Sequence, residues 1–150
     1  MSNFKLALSS AAFFSLVAAP CFAADWQATN DKGLSVYSIG NPASGQIKLV
    51  CDPENLWAAE GVKTSPQFYM LSTLHNQAVK GERTSIVVDG RELVFASPGG
   101  SVSVSGGKEE WNKLVDAISA QGSFSVKSGN DTFSLTVDRA LESRCHVPVN

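Results

Sequence analysis

Two carboxylates and an aromatic residue stand close together just after the second cysteine of the chain. Asp52 and Glu54 are two residues apart, and Trp57 follows three residues later. A carboxylate pair beside an aromatic ring could hold and hydrolyse a sugar, with one group as acid and the other as base or nucleophile. The alternative is a solvated turn with Trp57 folded over the end of the core, because aromatic residues in loops commonly serve packing. Packing is favoured, and all three residues remain candidate binding residues.

Histidines are scarce, and neither has other metal ligands near it in the sequence. His75 lies in a polar connection, and His146 follows the last cysteine. A zinc site needs three or four His, Cys or carboxylate ligands at close spacing. We therefore predict no metal and no cofactor, and we keep His75 as a candidate binding residue on an exposed loop.

Two partial matches to catalytic motifs occur around residues 100–109. Ser105 to Lys108 fits S-x-x-K, but two glycines stand where that mechanism requires a helix. The same stretch resembles a phosphate-binding loop, but it has Val102 in place of the first glycine and Glu109 in place of the final Ser or Thr. Neither match supplies a mechanism, so no catalytic residue is predicted.

The first residues have the pattern of a secretory signal peptide. A single lysine precedes the uncharged apolar run from Leu6 to Ala19, and small residues at the end of the segment suit cleavage. We predict that residues 1–23 are removed and that the mature chain begins at Ala24. A membrane anchor is one alternative, but the run is shorter than the roughly 20 apolar residues that a bilayer requires. A lipid anchor on Cys21 is the other alternative, and the proline directly before it disfavours that.

The remaining chain, residues 24–150, has the charge and length of a soluble domain. Loss of Lys5 changes the net charge from −2 to −3, without a long run of either sign. This argues against nucleic acid and anionic lipid surfaces, which attract a basic face. No later segment is apolar and long enough to span a membrane. About 127 residues suit a single β-rich domain with a sizeable core.

Cys51 and Cys145 are the two cysteines of the predicted mature chain. An even pair in an exported protein is typical of one disulfide, whereas a redox-active pair would require CxxC-like spacing. Closing so long a loop is worth about 4 to 5 kcal/mol in the chain-entropy estimate. We therefore expect the bond to matter for folding.

Short apolar runs separated by turn residues organise most of the chain. Gln46 to Cys51 alternates in a register that points Cys51 into the core, and Asp89-Gly90 joins the strands of the clearest hairpin. About nine such strands predict a mainly β, α+β fold, an antiparallel β-sandwich or roll. Residues 52–65 and 75–82 are expected to be exposed loops.

The spacing of apolar residues becomes helical after residue 107. Lys108 to Ala120 is predicted to form one amphipathic helix, in which four apolar residues share a face: Trp111, Leu114, Val115 and Ile118.

Gly122 ends this helix, a hairpin from Phe124 to Val137 follows, and a short C-terminal helix capped by Asp138 is predicted after it. That helix would turn Leu141 and Cys145 toward the core. A hydrophobic hairpin, a short helix and a last cysteine resemble small periplasmic β-proteins such as the invasion-associated locus B family. The resemblance covers the last quarter of the chain and implies no residue roles.

The absence of an assembled nucleophile, base and oxyanion donors predicts a non-enzymatic protein. We expect an exported binding or accessory protein of the bacterial envelope, periplasmic or secreted, whose partner is another envelope or extracellular protein. The loops 52–65 and 75–82 are the expected binding surface, since exposed loops on a rigid sandwich commonly carry function. The alternatives are an envelope hydrolase acting on glycan or peptide and a structural envelope component.

Overall fold

The computed structural model describes residues 23–56 and 67–149, which are mainly β-strand. The strands are β1 (Ala23–Ala24), β2 (Gln27–Asp31), β3 (Leu34–Asn41), β4 (Gly45–Cys51), β5 (Phe68–Leu74), β6 (Gln77–Ala78), β7 (Arg83–Val88), β8 (Arg91–Ala96), β9 (Ser101–Ser103), β10 (Gly122–Ser128) and β11 (Asp131–Val137). The helix α1 (Lys108–Ser119) and the short 3-10 turns Pro98–Gly100 and Val104–Gly106 lie among them. In the described ranges nine strands have three residues or more, as the turn spacing predicts.

These strands form two sheets that pack as a sandwich. Sheet I has the order β1-β11-β10-β7-β8, and sheet II has the order β2-β3-β4-β5-β6, with β9 also paired to β5. Pairing is antiparallel throughout, except that β1 runs parallel to β11. The predicted antiparallel, mainly β architecture is confirmed.

Alternation along the strands places the core between the two sheets. On β4, Ile47, Leu49 and Cys51 are all 0% exposed, which confirms the predicted register. Phe124 and Val126 of sheet I are buried in the same apolar cluster. The core therefore consists of inward-facing side chains from both sheets.

Hairpin turns follow the local chemistry of the sequence. Lys32-Gly33 and Asp89-Gly90 have positive φ at both positions, the type I′ geometry whose twist matches the flanking strands. Gly129 has φ of 60° at the first position of the turn between β10 and β11, where a type II′ turn favours glycine. These turns fix the register of three of the hairpins.

Helix α1 buries the face that its spacing predicts. Trp111 is 1% exposed, and Leu114, Val115 and Ile118 are 0% exposed. On the opposite side Lys113 donates a hydrogen bond to Glu110 at 2.6 Å, which raises the pKa of Lys113. The helix thus packs on the core by its apolar stripe, and Glu110 and Lys113 lie on its exposed side.

The prediction of a C-terminal helix after Asp138 is wrong, because residues 138–149 contain no helix. Their backbone N–H groups donate to distant elements: Leu141 N to Ser119 O at 2.8 Å, Arg144 N to Tyr37 Oη at 3.3 Å, and Val147 N to Asn112 Oδ1 at 2.9 Å. Once these donors are satisfied by tertiary contacts, a helical ladder has no advantage over an extended tail.

The extended tail still brings Cys145 to Cys51. Their sulfur atoms lie at disulfide-bonding distance, their Cα atoms are 5.2 Å apart, and both side chains are 0% exposed. The pair joins the end of β4 to the tail across 94 residues of sequence. The alternation of β4 predicts that Cys51 is buried, and this is confirmed. Cys145 is buried as expected, although it lies on an extended tail and not on a helix.

Candidate functional site

The carboxylate of Asp52 belongs to the structure of its own turn. Asp52 is 1% exposed, and its Oδ1 accepts a hydrogen bond from Leu56 N at 2.8 Å. Its carbonyl also accepts a hydrogen bond from Asn55 N at 3.1 Å. A carboxylate in this position caps the turn that follows β4. The contacts of Asp52 therefore support a structural role.

Glu54 lies on the surface, where it pairs with the tail. Arg144 Nη2 is 3.0 Å from Glu54 Oε1, and both side chains are more than half exposed. One carboxylate is thus buried in a turn and the other is solvated in an ion pair beside the cysteines. Both carboxylates therefore have structural contacts, Asp52 within its own turn and Glu54 with the tail. The third candidate in this loop, Trp57, lies outside the described residues.

His75 lies at the other end of sheet II. It is an exposed residue in the turn between β5 and β6, where its φ is 52°. Its backbone N–H donates a hydrogen bond to Ala43 O at 3.2 Å. That turn packs on the start of β4, whereas Asp52 follows its end. The seven residues of β4 separate the two positions by roughly 20 Å. The structure therefore does not bring His75 together with Asp52 and Glu54.

The remaining histidine makes one contact with helix α1. His146 Nε2 is 2.8 Å from Asp116 Oδ1, and both side chains are largely solvent-exposed. Among residues 23–56 and 67–149, no three His, Cys, Asp or Glu side chains cluster closely enough to hold a metal ion. In the same ranges, no helix has the length and apolar character needed to cross a membrane.

A cleft of about 300 Å³ opens where the chain crosses from sheet I to sheet II. β1 ends in sheet I at Ala24 and β2 begins in sheet II at Gln27. Residues 25–27 form one wall of the cleft, and residues 139–142, directly after β11, form the other. The cleft is at the small end of the range for ligand pockets.

Aromatic, cationic and anionic groups meet in this cleft. The guanidinium of Arg139 lies 3.1 Å from Asp25 Oδ2, and the Arg139 side chain is 82% exposed. Trp26 forms part of the wall, and its Nε1 is buried without an acceptor among the described residues. A buried donor without an acceptor costs about 1 to 3 kcal/mol. The cleft is therefore lined by a residue with a buried, unsatisfied donor and by an exposed ion pair.

Sequence reasoning missed the residues of this cleft. Its walls come from segments more than one hundred positions apart, so no motif spacing connects Trp26 with Arg139. One local feature could have pointed to the cleft. Trp26 is a large aromatic residue directly before β2, and all five residues of β2 are exposed.

Comparison with other proteins adds no functional information, since no protein family, curated protein or solved structure matches this chain.

Proposed function

We propose that this protein is an exported, non-enzymatic binding protein of the bacterial envelope that engages another envelope or extracellular protein through the cleft of residues 25–27 and 139–142. The observation that carries the proposal is the buried, unsatisfied Nε1 of Trp26, a residue that lines the cleft together with the exposed Arg139. Tryptophan and arginine are the residue types most enriched at the energetic centres of protein interfaces.

Export is supported by two independent features. Residues 1–23 have the charge, apolar run and small terminal residues of a signal peptide. The cysteine pair at bonding distance is compatible with an oxidising compartment, where disulfides persist. Together they favour the periplasm or the medium as the place of action.

The cleft also indicates what the partner presents. The Arg139 to Asp25 ion pair is exposed, and such pairs contribute little net stability. A carboxylate of the partner can therefore take the place of Asp25 as the ion-pair partner of Arg139, at a small cost in free energy. A carbonyl or carboxylate oxygen would satisfy Trp26 Nε1 once the ring turns toward it. We expect an acidic or C-terminal group of the partner in the cleft.

Site-specific crosslinking tests this proposal. A photoreactive residue replaces Gln27, at the edge of the cleft, in the chain expressed with its own leader, and adducts are identified from intact envelope. We expect one protein adduct, weakened about tenfold or more by Trp26→Ala or Arg139→Ala. The matched control is Arg91→Ala, which removes an exposed arginine from β8 and should leave the adduct unchanged.

Two results would contradict the proposal. One is the absence of any adduct from position 27 while a small molecule copurifies with the mature protein. The other is an adduct that forms from a photoreactive group at Glu54 or His75 and survives both cleft substitutions, which would assign binding to the loops instead. Thermal melting of each variant separates loss of binding from loss of folding.

A further inference from the structure

We infer that removal of residues 1–23 completes the proposed cleft, because the new α-ammonium group of Ala24 becomes a second cation, beside Arg139, that holds the partner's carboxylate. This inference rests on the proposed binding function and on cleavage after Ala23, which the sequence predicts. The uncleaved chain lacks this binding group, since its residue 24 has a neutral peptide N–H in the same position.

Ala24 is fixed at the edge of sheet I, directly before the cleft. It pairs with Val137 in the parallel ladder between β1 and β11, and its carbonyl oxygen accepts a hydrogen bond from Asp138 N at 3.4 Å. A strand residue directs its N–H and its C=O to the same side, so in this ladder the nitrogen of Ala24 faces the carbonyl oxygen of Thr136. Both backbone polar groups of Ala24 are thus held against β11.

Contacts of residues 24–26 keep Ala24 in place after cleavage. The loss of Ala23 removes one of the two residue pairs between β1 and β11. The side chains of Ala24 and Trp26 remain packed against the core cluster. Asp25 remains paired with Arg139, at 3.1 Å between Oδ2 and Nη2. We therefore expect the mature chain to begin with an ordered residue.

The α-nitrogen of Ala24 lies beside the wall of the cleft. Asp25 is the first residue of that wall, and standard backbone dimensions place the Ala24 nitrogen no more than about 5 Å from the Asp25 Cα. An α-ammonium has three N–H groups. One of them continues to donate to Thr136, and the other two can donate charge-assisted hydrogen bonds to an incoming carboxylate.

The charge of the cleft explains why a further cation matters for an acidic partner. Asp25 and Glu142 are the acidic residues of the lining, and Arg139 is its basic residue, so the walls carry one net negative charge. A wall of this sign repels a carboxylate. The α-ammonium of Ala24 offsets that charge beside the cleft, and cleavage therefore makes the cleft more favourable for the partner's acidic group.

Chemical modification of the α-nitrogen tests the inference in purified exported protein. Mass spectrometry first establishes whether the chain begins at Ala24. Acetylation at about pH 6.5, where lysine side chains are protonated, then removes the charge of the α-nitrogen. Monomethylation of the same nitrogen is the matched control, because it adds bulk but keeps the positive charge and two N–H donors. Melting curves verify that both modified proteins are folded.

The probe is acetyl-glycyl-alanine, a dipeptide with a free C-terminal carboxylate, and its C-terminal amide is the neutral counterpart. Binding is followed through the indole N–H signal of Trp26 in isotopically labelled protein. We expect a saturable shift with the acid. Its binding should be about tenfold or more weaker in the acetylated protein and nearly unchanged in the monomethylated one. The amide should bind weakly to all three proteins.

The affinity for the acid should also fall as the pH rises from about 7 to about 9. In this range an α-ammonium loses its proton, at about pH 8, and the neutral amine no longer attracts the carboxylate. The other charged groups around Ala24 are those of Asp25, Asp138, Arg139 and Glu142. Carboxylates and guanidinium groups keep their charges in this range. The acetylated protein should therefore show no such pH dependence.

Four outcomes would overturn the inference: a mature chain that begins at another residue, no saturable shift with the acid, equal binding by the acetylated and monomethylated proteins, or an affinity that does not change with pH. Failure here is distinct from failure of the proposed function. If acetylation changes nothing while Trp26→Ala or Arg139→Ala still weakens the envelope adduct from position 27, only the role of Ala24 is removed. Binding of the acid that requires the α-ammonium, without any protein adduct, removes the protein partner instead.

Discussion

The indole Nε1 of Trp111 donates a hydrogen bond to the carbonyl oxygen of Cys145 at 2.7 Å. The same ring stands edge-on to Phe68, with centroids 6.3 Å apart, and Phe68 pairs with Cys51 across β4 and β5. Trp111 therefore contacts the surroundings of both cysteines, and helix α1 is a support for the cysteine pair as well as a cover for the core.

Replacing Trp111 by phenylalanine should test that support. The Trp111→Phe change keeps an aromatic ring but leaves the buried carbonyl of Cys145 without its donor, and the free energy of unfolding should fall by about 1 to 3 kcal/mol. Urea denaturation measures the loss. Trp26→Phe is the matched control, because Trp26 Nε1 has no acceptor among the described residues. Equal losses in the two variants would show that the hydrogen bond is unimportant.

The cysteine pair should be oxidised in mature protein made in an oxidising compartment. A thiol reagent applied after denaturation should then label neither Cys51 nor Cys145. Reduction should lower the free energy of unfolding by about 4 to 5 kcal/mol, because the closed loop is long. Labelling of two thiols per chain before reduction would show that the bond is absent.

Asp52 and Glu54 should differ in their effects on stability. Asp52→Ala removes the acceptor of Leu56 N and should cost about 0.5 to 2 kcal/mol, as loss of a cap does. Glu54→Gln breaks an exposed ion pair and should cost no more than about 1 kcal/mol. Urea denaturation compares them, with Asp52→Asn as the variant that retains an acceptor oxygen.

The hydrolase alternative predicts a different result for these carboxylates. Either amide substitution would then abolish turnover of glycan or peptide while leaving the melting temperature unchanged. Unchanged turnover in both the Asp52→Asn and the Glu54→Gln protein would remove the hydrolase alternative.

Gly45 and Gly122 form a matched pair for testing the packing between the sheets. Their φ angles are 131° and 130°, so alanine is equally strained at both positions. A Cβ at Gly45 would lie 2.4 Å from Phe133 Cδ2, whereas a Cβ at Gly122 has nothing within 4 Å. Gly45→Ala should therefore be less stable than Gly122→Ala by about 1 to 3 kcal/mol, the cost of overpacking. Equal stabilities in urea would contradict the close approach of β4 to β11.

Most of the sandwich could be predicted because its strands and helix follow from patterns among residues that are close together in the sequence. The alternation of β4 placed Cys51 in the core, the Asp89-Gly90 turn placed β7 beside β8, and the spacing from Trp111 to Ile118 defined the buried face of α1. Each of these features depends on residues a few positions apart, and the backbone geometry fixes the directions in which their side chains point.

The tail and the cleft could not be predicted in this way. Local capping by Asp138 favoured a helix, but Leu141, Arg144 and Val147 find hydrogen-bond acceptors on other elements, and tertiary contacts override propensity. The cleft joins residues from the two ends of the domain. The cleft depends on where the chain crosses from sheet I to sheet II, and composition and spacing do not specify that crossing.

The division of the sequence between the two sheets has a consequence for the order of folding. Residues 27–78 supply most of sheet II, and residues 83–137 supply most of sheet I. Each sheet can therefore begin as local hairpins before distant segments of the chain meet. Cys51, in contrast, must wait for Cys145, which lies 94 residues later in the chain. We expect thiol oxidation to be a late event, and a chain that ends before Cys145 to retain a reactive thiol at Cys51.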